Sequence, residues 1–141
     1  MGVINMKHNE HCKAIADTLE AITEGRLYIC PNCGEYVEDN KLFCDCGCQV
    51  DLIGNDESEP WEQVSFYDYF ENALDIDYIV NSRKEYKACR IMVAFGGPNI
   101  YVNTWEKKVE LYWWGSNGSF WLTNDTCAAI DEWAEEYYNC I

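Results

Sequence analysis

At 141 residues the chain has room for one ordinary domain, or for a small module plus a domain of about 80 residues. Its 48% hydrophobic and 15% aromatic residues exclude global disorder, and no apolar run nears the ~18 residues that span a bilayer. The formal net charge of −15 excludes binding to nucleic acid by phosphate neutralisation and sets the chain against anionic membranes, so its natural complement is a basic surface.

Met1 to His8 carries neither a long apolar stretch nor a small-residue cleavage site, and a cytoplasmic location is expected. From His8 to Glu24 the spacing predicts a helix. Cys12, Ile15, Ala16, Leu19 and Ile22 recur at three- and four-residue steps, and Gly25 can supply a left-handed cap. So short a helix needs a surface, either the module that follows or a partner.

Leu27 to Val50 is a cysteine module. It holds Cys30-Pro31-Asn32-Cys33-Gly34 and then Phe43-Cys44-Asp45-Cys46-Gly47-Cys48, with short strands expected at Leu27-Tyr28-Ile29 and Lys41-Leu42-Phe43. Residues 51–60 are polar and acidic, with Gly54 and Pro60, and read as a linker.

Residues 61–141 read as an α+β domain. Val64, Phe66, Tyr67, Phe70 and Leu74 mark a helix, and Ile76 to Val80 is strand-like. Ala88 to Phe95 alternates, Gly96-Gly97-Pro98-Asn99 turns, and Ile100 to Val102 with Val109 to Trp114 forms a hairpin around 104–107. Ser119 to Leu122 reads as a short edge strand. A last helix runs from Thr123–Asp125 to about Asn139 on an apolar face of Cys127, Ile130, Trp133 and Tyr137. The expectation is thus an N-terminal helix and metal module over 1–50, a linker, and a helix, an antiparallel sheet of three to four strands and a helix over 61–141.

Five of the nine cysteines lie between Cys30 and Cys48, and Cys12, Cys89, Cys127 and Cys140 are scattered singly, three of them among apolar neighbours as buried free thiols usually are. Two thiolate-bearing turns about ten residues apart can close on one tetrahedral ion, usually zinc. The stretch Tyr28 to Gly47 resembles the short zinc-ribbon family, in which each knuckle is Cys-x-x-Cys-Gly and an aromatic residue precedes the second. The resemblance implies structural Zn2+ on Cys30, Cys33 and Cys44, with backbone N–H groups on the sulfurs and glycines in the left-handed region. The second knuckle is one residue short, so the fourth ligand is either Cys46 or Cys48.

Charge is segregated along the chain. No Lys or Arg occurs from Leu42 to Ser82, against ten acids, or from Val109 onward, against six; Arg83 to Lys108 holds six cations and two acids. Carboxylates three or four residues apart on a helix lie about 5–6 Å apart, near the spacing of phosphates along a strand. Asp131, Glu132, Glu135 and Glu136 form one candidate ridge, and Asp68, Glu71, Asp75 and Asp77 another. Tyr112 and Trp114 share a strand face and are candidates for an exposed patch. Arg83, Lys84, Lys87, Arg90, Lys107 and Lys108 are expected to neutralise acidic helices packed nearby.

Catalytic constellations are lacking. His8 and His11 have no accompanying glutamate, no phosphate-cradling loop appears, and Asp75 with Asp77 has no third ligand. In size and charge, though by no motif, the chain resembles the small acidic proteins with which phages and mobile elements block host nucleases, the anti-CRISPR and anti-restriction inhibitors. That resemblance implies a non-enzymatic protein acting in a host cytoplasm on a basic nucleic-acid-binding protein such as a host nuclease, with no direct contact to nucleic acid or membrane. A homodimer is allowed. The alternative is a zinc-ribbon adaptor that assembles with a partner through the ribbon and first helix, its acidity serving only solubility.

Overall fold

Strands β5 (Asp75–Val80), β6 (Tyr86–Ala94), β7 (Asn99–Asn103), β8 (Lys108–Trp113) and β9 (Ser116–Trp121) form an antiparallel meander, each paired with the next in sequence. A two-residue strand β1 (Val3–Ile4) adds in parallel beside β9, giving the order β1-β9-β8-β7-β6-β5. The computed structural model describes residues 3–50 and 61–140, so the linker expected at 51–60 lies outside the described residues.

Period-two alternation sorts the strands into two faces. Cys89, Ile91, Ile100, Val102, Val109 and Leu111 are buried and belong to the main core. Asp77, Arg90, Tyr101, Asn103, Glu110, Tyr112 and Trp121 alternate onto the other face.

Helix α1 (Met6–Thr23) is capped by Asn5, whose side chain accepts from the Lys7 N–H, and ends at Gly25 with φ +71°. The surface it needed is the large sheet. Cys12, Ala16 and Leu19 pack into the core against β8 and β9. Helix α3 (Asn124–Tyr138), capped by Thr123, lies beside α1 and over β6, with Cys127, Ile130, Trp133 and Ala134 buried. Both helices share one core, so residues on either side of 51–60 are packed together.

The cysteine module builds a second, small sheet from β2 (Leu27–Ile29), β3 (Tyr36–Glu38) and β4 (Glu62–Gln63), in the order β3-β2-β4. The strand expected at Lys41-Leu42-Phe43 reduces to one bridge between Phe43 and Gln49. The α+β class and the order helix, ribbon, helix, sheet, helix hold. Two elements differ in extent. The sheet has six strands rather than three or four, and the helix expected over Val64–Leu74 is only α2 (Phe66–Tyr69). Its apolar ends are already committed to strands: the Val64 N–H donates to Leu27 O, and the Leu74 N–H donates to Met92 O. No helix among the described residues is long and apolar enough to cross a membrane.

Candidate metal centre and acidic surfaces

The sulfurs of Cys30, Cys33, Cys44 and Cys46 all lie within 4.8 Å of one another. Cys30 Sγ is 3.7 Å from Cys46 Sγ, and Cys33 Sγ is 3.4 Å from Cys44 Sγ. A tetrahedron with metal–sulfur bonds of about 2.3 Å has sulfur–sulfur edges of about 3.8 Å, so the quartet has the size and shape a metal ion requires. These distances far exceed a disulfide, and all nine cysteines are free.

Each knuckle is shaped by backbone bonds. In the first, the Gly34 N–H donates to Cys30 O and the Cys30 N–H to Glu35 O, both at 2.9 Å. In the second, the Gly47 N–H donates to Cys44 O at 2.9 Å and the Cys44 N–H to Cys48 O at 2.8 Å. The first loop closes over four residues and the second over three. The missing residue is therefore absorbed by a tighter turn, which leaves Cys46 where the fourth ligand belongs. Gly34 at φ +78° and Gly47 at φ +99° occupy the left-handed region each knuckle needs.

Cys48 stands outside the quartet and packs with Val50 and Trp61 against buried Cys30, Val37 and Cys44. The Cys46 thiol is pulled down to about 6, first by the Cys48 N–H and then by the Asn32 amide, which lies 3.7 Å from its sulfur. Burial pushes Cys30 up, but hydrogen bonds from the N–H groups of Cys33 and Asn32 outweigh it and hold the thiol below its ordinary value. Such donors stabilise the thiolate form that binds metal at Cys46 and Cys30. At Cys33 and Cys44 the N–H groups of Glu35 and Cys46 are outweighed by burial and the neighbouring sulfurs, which push both thiols up.

The acidic residues divide by what they touch. Glu132, Glu135 and Glu136 are exposed along α3, and Glu71, Asp75 and Asp77 are exposed near and on β5. Asp68 is half-buried, accepting from the Ser65 N–H and hydroxyl in a capping box at the start of α2. Asp131 turns inward, where the Tyr86 hydroxyl donates to it at 2.6 Å and the Thr104 hydroxyl at 2.7 Å.

The expected ion pairs between the basic strip and the acidic helices are not formed among the described residues. Among the described residues the ion pairs are Lys13–Asp17, Arg26 with Glu24 and Glu38, and Arg90–Glu110. None reaches α3. Lys107 instead donates to the Asn124 side chain at 2.9 Å. Lys87 and Lys107 line a cleft with Asn124 and Asp131 of α3 without forming an ion pair there.

Tyr112 and Trp114 part company. Tyr112 is on β8 and donates to Glu110 at 2.5 Å. Trp114 lies beyond the strand, in the two-residue turn Trp114-Gly115, with φ +47° and 87% exposure. Sequence reasoning missed the polar group around Glu110, which is 6% exposed. Asn103 Nδ2 donates to it at 2.8 Å and Arg90 Nε at 3.3 Å, and the Arg90 guanidinium stacks 3.7 Å over Tyr101. The available signal was the alternation placing Glu110 and Tyr112 on one strand face.

Fold and site together define an α+β protein with four cysteines clustered within metal-binding distance, consistent with a zinc-ribbon-like segment. Compared with protein-family models, curated proteins and solved structures, the chain gives no match.

Proposed function

We propose that this chain is a non-enzymatic, zinc-stapled acidic protein that occupies the basic nucleic-acid-binding groove of another protein, as an inhibitor of a host defence nuclease does. One observation carries the reading. Glu132, Glu135 and Glu136 are exposed on one helix whose opposite side is locked into the core, and none makes an ion pair with a cation among the described residues. Carboxylates fixed in this way need no further ordering when they meet a cationic groove, so their complementarity acts on association rate and specificity. Zinc suits the quartet because four thiolates in a tetrahedron are one of its usual structural sites, and four protein ligands leave no open position for substrate, which supports a role in holding the fold.

The test is affinity capture from a host lysate at low and high salt, repeated with Glu132, Glu135 and Glu136 all changed to Gln. A nucleic-acid-binding partner should be lost at high salt, lost with the triple variant and displaced by its own nucleic acid. Capture of the same partner by the triple variant would sink the proposal.

A second reading rests on the ribbon tip, where Leu42 is 77% and Phe43 59% exposed beside the second knuckle. An adaptor would use this tip alone, because the inner face of α1 is taken up by the sheet. Changing both residues to Ser should abolish capture under this reading and leave it intact under the first.

A further inference from the structure

We infer that the cleft between the end of α1, residues 64–67 and α3 is a receptor for an arginine side chain carried on an apolar-flanked segment of the partner. The inference rests on the basic partner proposed above and assigns where and how one of its cations is read. The cleft encloses about 300 Å³, at the small end of ligand sites. Its walls are apolar at Ile22, Val64 and Ala129, aromatic at Tyr67 and Trp133, and acidic at Glu132 and Glu136.

The chemistry of those walls selects the occupant. No Lys or Arg lines the cleft, so its two carboxylates face it without a cation, Glu136 accepting from the Tyr67 hydroxyl on one oxygen and Glu132 making no side-chain hydrogen bond among the described residues. Glu132 and Glu136 are one helical turn apart, which suits the planar fork of a guanidinium better than the single ammonium of a lysine. Tyr67, Trp133 and Tyr137 form a mutually tilted cluster, with Trp133 and Tyr137 centroids 5.1 Å apart and Tyr67 and Tyr137 centroids 5.8 Å apart. Aromatic faces beside carboxylates attract a delocalised cation while accepting its alkyl stem.

A second observation is independent of charge. Trp133 is 6% exposed, and its indole N–H is buried without an acceptor among the described residues. A buried donor left in this state is uncommon and destabilising, and a carbonyl arriving with a bound segment would satisfy it. The chain's own residues 51–60 carry Asp51, Asp56, Glu57 and Glu59 and no cation, so they hold no charge that could neutralise Glu132 and Glu136.

The experiment follows the Trp133 indole resonance of the full, metal-loaded chain while capped Leu-Arg-Leu is added, with capped Leu-norleucine-Leu and Leu-Lys-Leu as comparisons. Trp133→Phe assigns the resonance. The arginine peptide should shift it saturably, at least tenfold more tightly than either comparison, and the double variant Glu132→Gln, Glu136→Gln should weaken that binding at least tenfold. Removing two charges elsewhere, with Glu10→Gln and Glu106→Gln, should leave it within twofold. Failure to saturate, equal binding of the norleucine or lysine peptide, or equal weakening by the remote pair would each overturn the inference. Because the assay needs no partner, its failure is separable from that of the groove reading, which stands or falls on lysate capture.

Discussion

Gly118 lies directly beneath His8: a Cβ added at 118 would stand 2.4 Å from the His8 Cβ and 2.6 Å from its carbonyl carbon. That contact seats the first turn of α1 on β9. Around it His8 Nε2 pairs with Ser116 Oγ at 3.0 Å, and the Ser119 N–H donates to Asn9 Oδ1 at 2.9 Å. Gly118→Ala must lift the helix and disturb both bonds. A loss of roughly 1–3 kcal/mol is expected, read as a lower urea midpoint at unchanged slope.

Metal removal should be felt beyond the ribbon. β2 of the metal module pairs with β4, and the Val64 N–H that follows donates to Leu27 O, so the ribbon is bonded to the chain that enters the core. Chelation should free four metal-bound thiols for reaction, in addition to the exposed Cys140, and lower the melting temperature. Cys46→Ser should abolish stoichiometric metal uptake, whereas Cys48→Ser should retain it; metal content by mass spectrometry separates the two.

Glu110 sets an acid-sensitive contribution to stability. Burial pushes its carboxyl up, but hydrogen bonds from Tyr112 and Asn103 and the Arg90 charge outweigh it and hold it below the usual range. A carboxyl lower in the folded than in the unfolded chain stabilises fully above its ordinary value of about 4.3, and that stabilisation is lost as pH falls through the lower folded value. Glu110→Gln is expected to cost about 1.5–3 kcal/mol at pH 7. The gap from the native chain should narrow in urea titrations as pH falls from about 4.

Trp114 opposes its own backbone. Trp114-Gly115 is a two-residue hairpin turn with positive φ at both positions, +47° and +80°, a geometry for which Asn-Gly is preferred. Trp114→Asn should therefore raise stability by about 1 kcal/mol. A large aromatic held 87% exposed in such a turn is suited to contact with a partner. The same variant should weaken binding to the basic partner proposed above about tenfold in a calorimetric titration.

Sequence and structure agree where one physical signal dominates and diverge where tertiary pairing overrides it. α1 and α3 were legible because Cys12, Leu19, Cys127 and Ile130 repeat at helical spacing and are buried in the core. The hairpin of β7 and β8 was legible from alternation around a polar turn. The spacing of Val64, Phe66, Phe70 and Leu74 imitates a helix, yet only four residues adopt one, since their neighbours obtain better hydrogen bonds in two different sheets. β4 and the first half of β9, Glu62-Gln63 and Ser116-Asn117-Gly118, contain no strand-favouring residue; their pairing partners make them strands. Within the site, Cys30, Cys33 and Cys44 followed from motif spacing, while the choice of Cys46 needed the tighter second turn. Asp131 could not be told from Glu132 by composition, because whether a helical carboxylate turns to Thr104 or to water depends on the sheet beneath it.

The two borders of the large sheet are unequal, and this bears on how the molecule behaves when crowded. At one border β1 is only two residues long; at the other, β5 carries Asp75 and Asp77 and breaks register between Ile79 and Val80. A second molecule approaching β5 to extend the ladder meets like charge and an irregular row of donors and acceptors. Concentrated solutions should consequently remain dispersed rather than stack into fibrils.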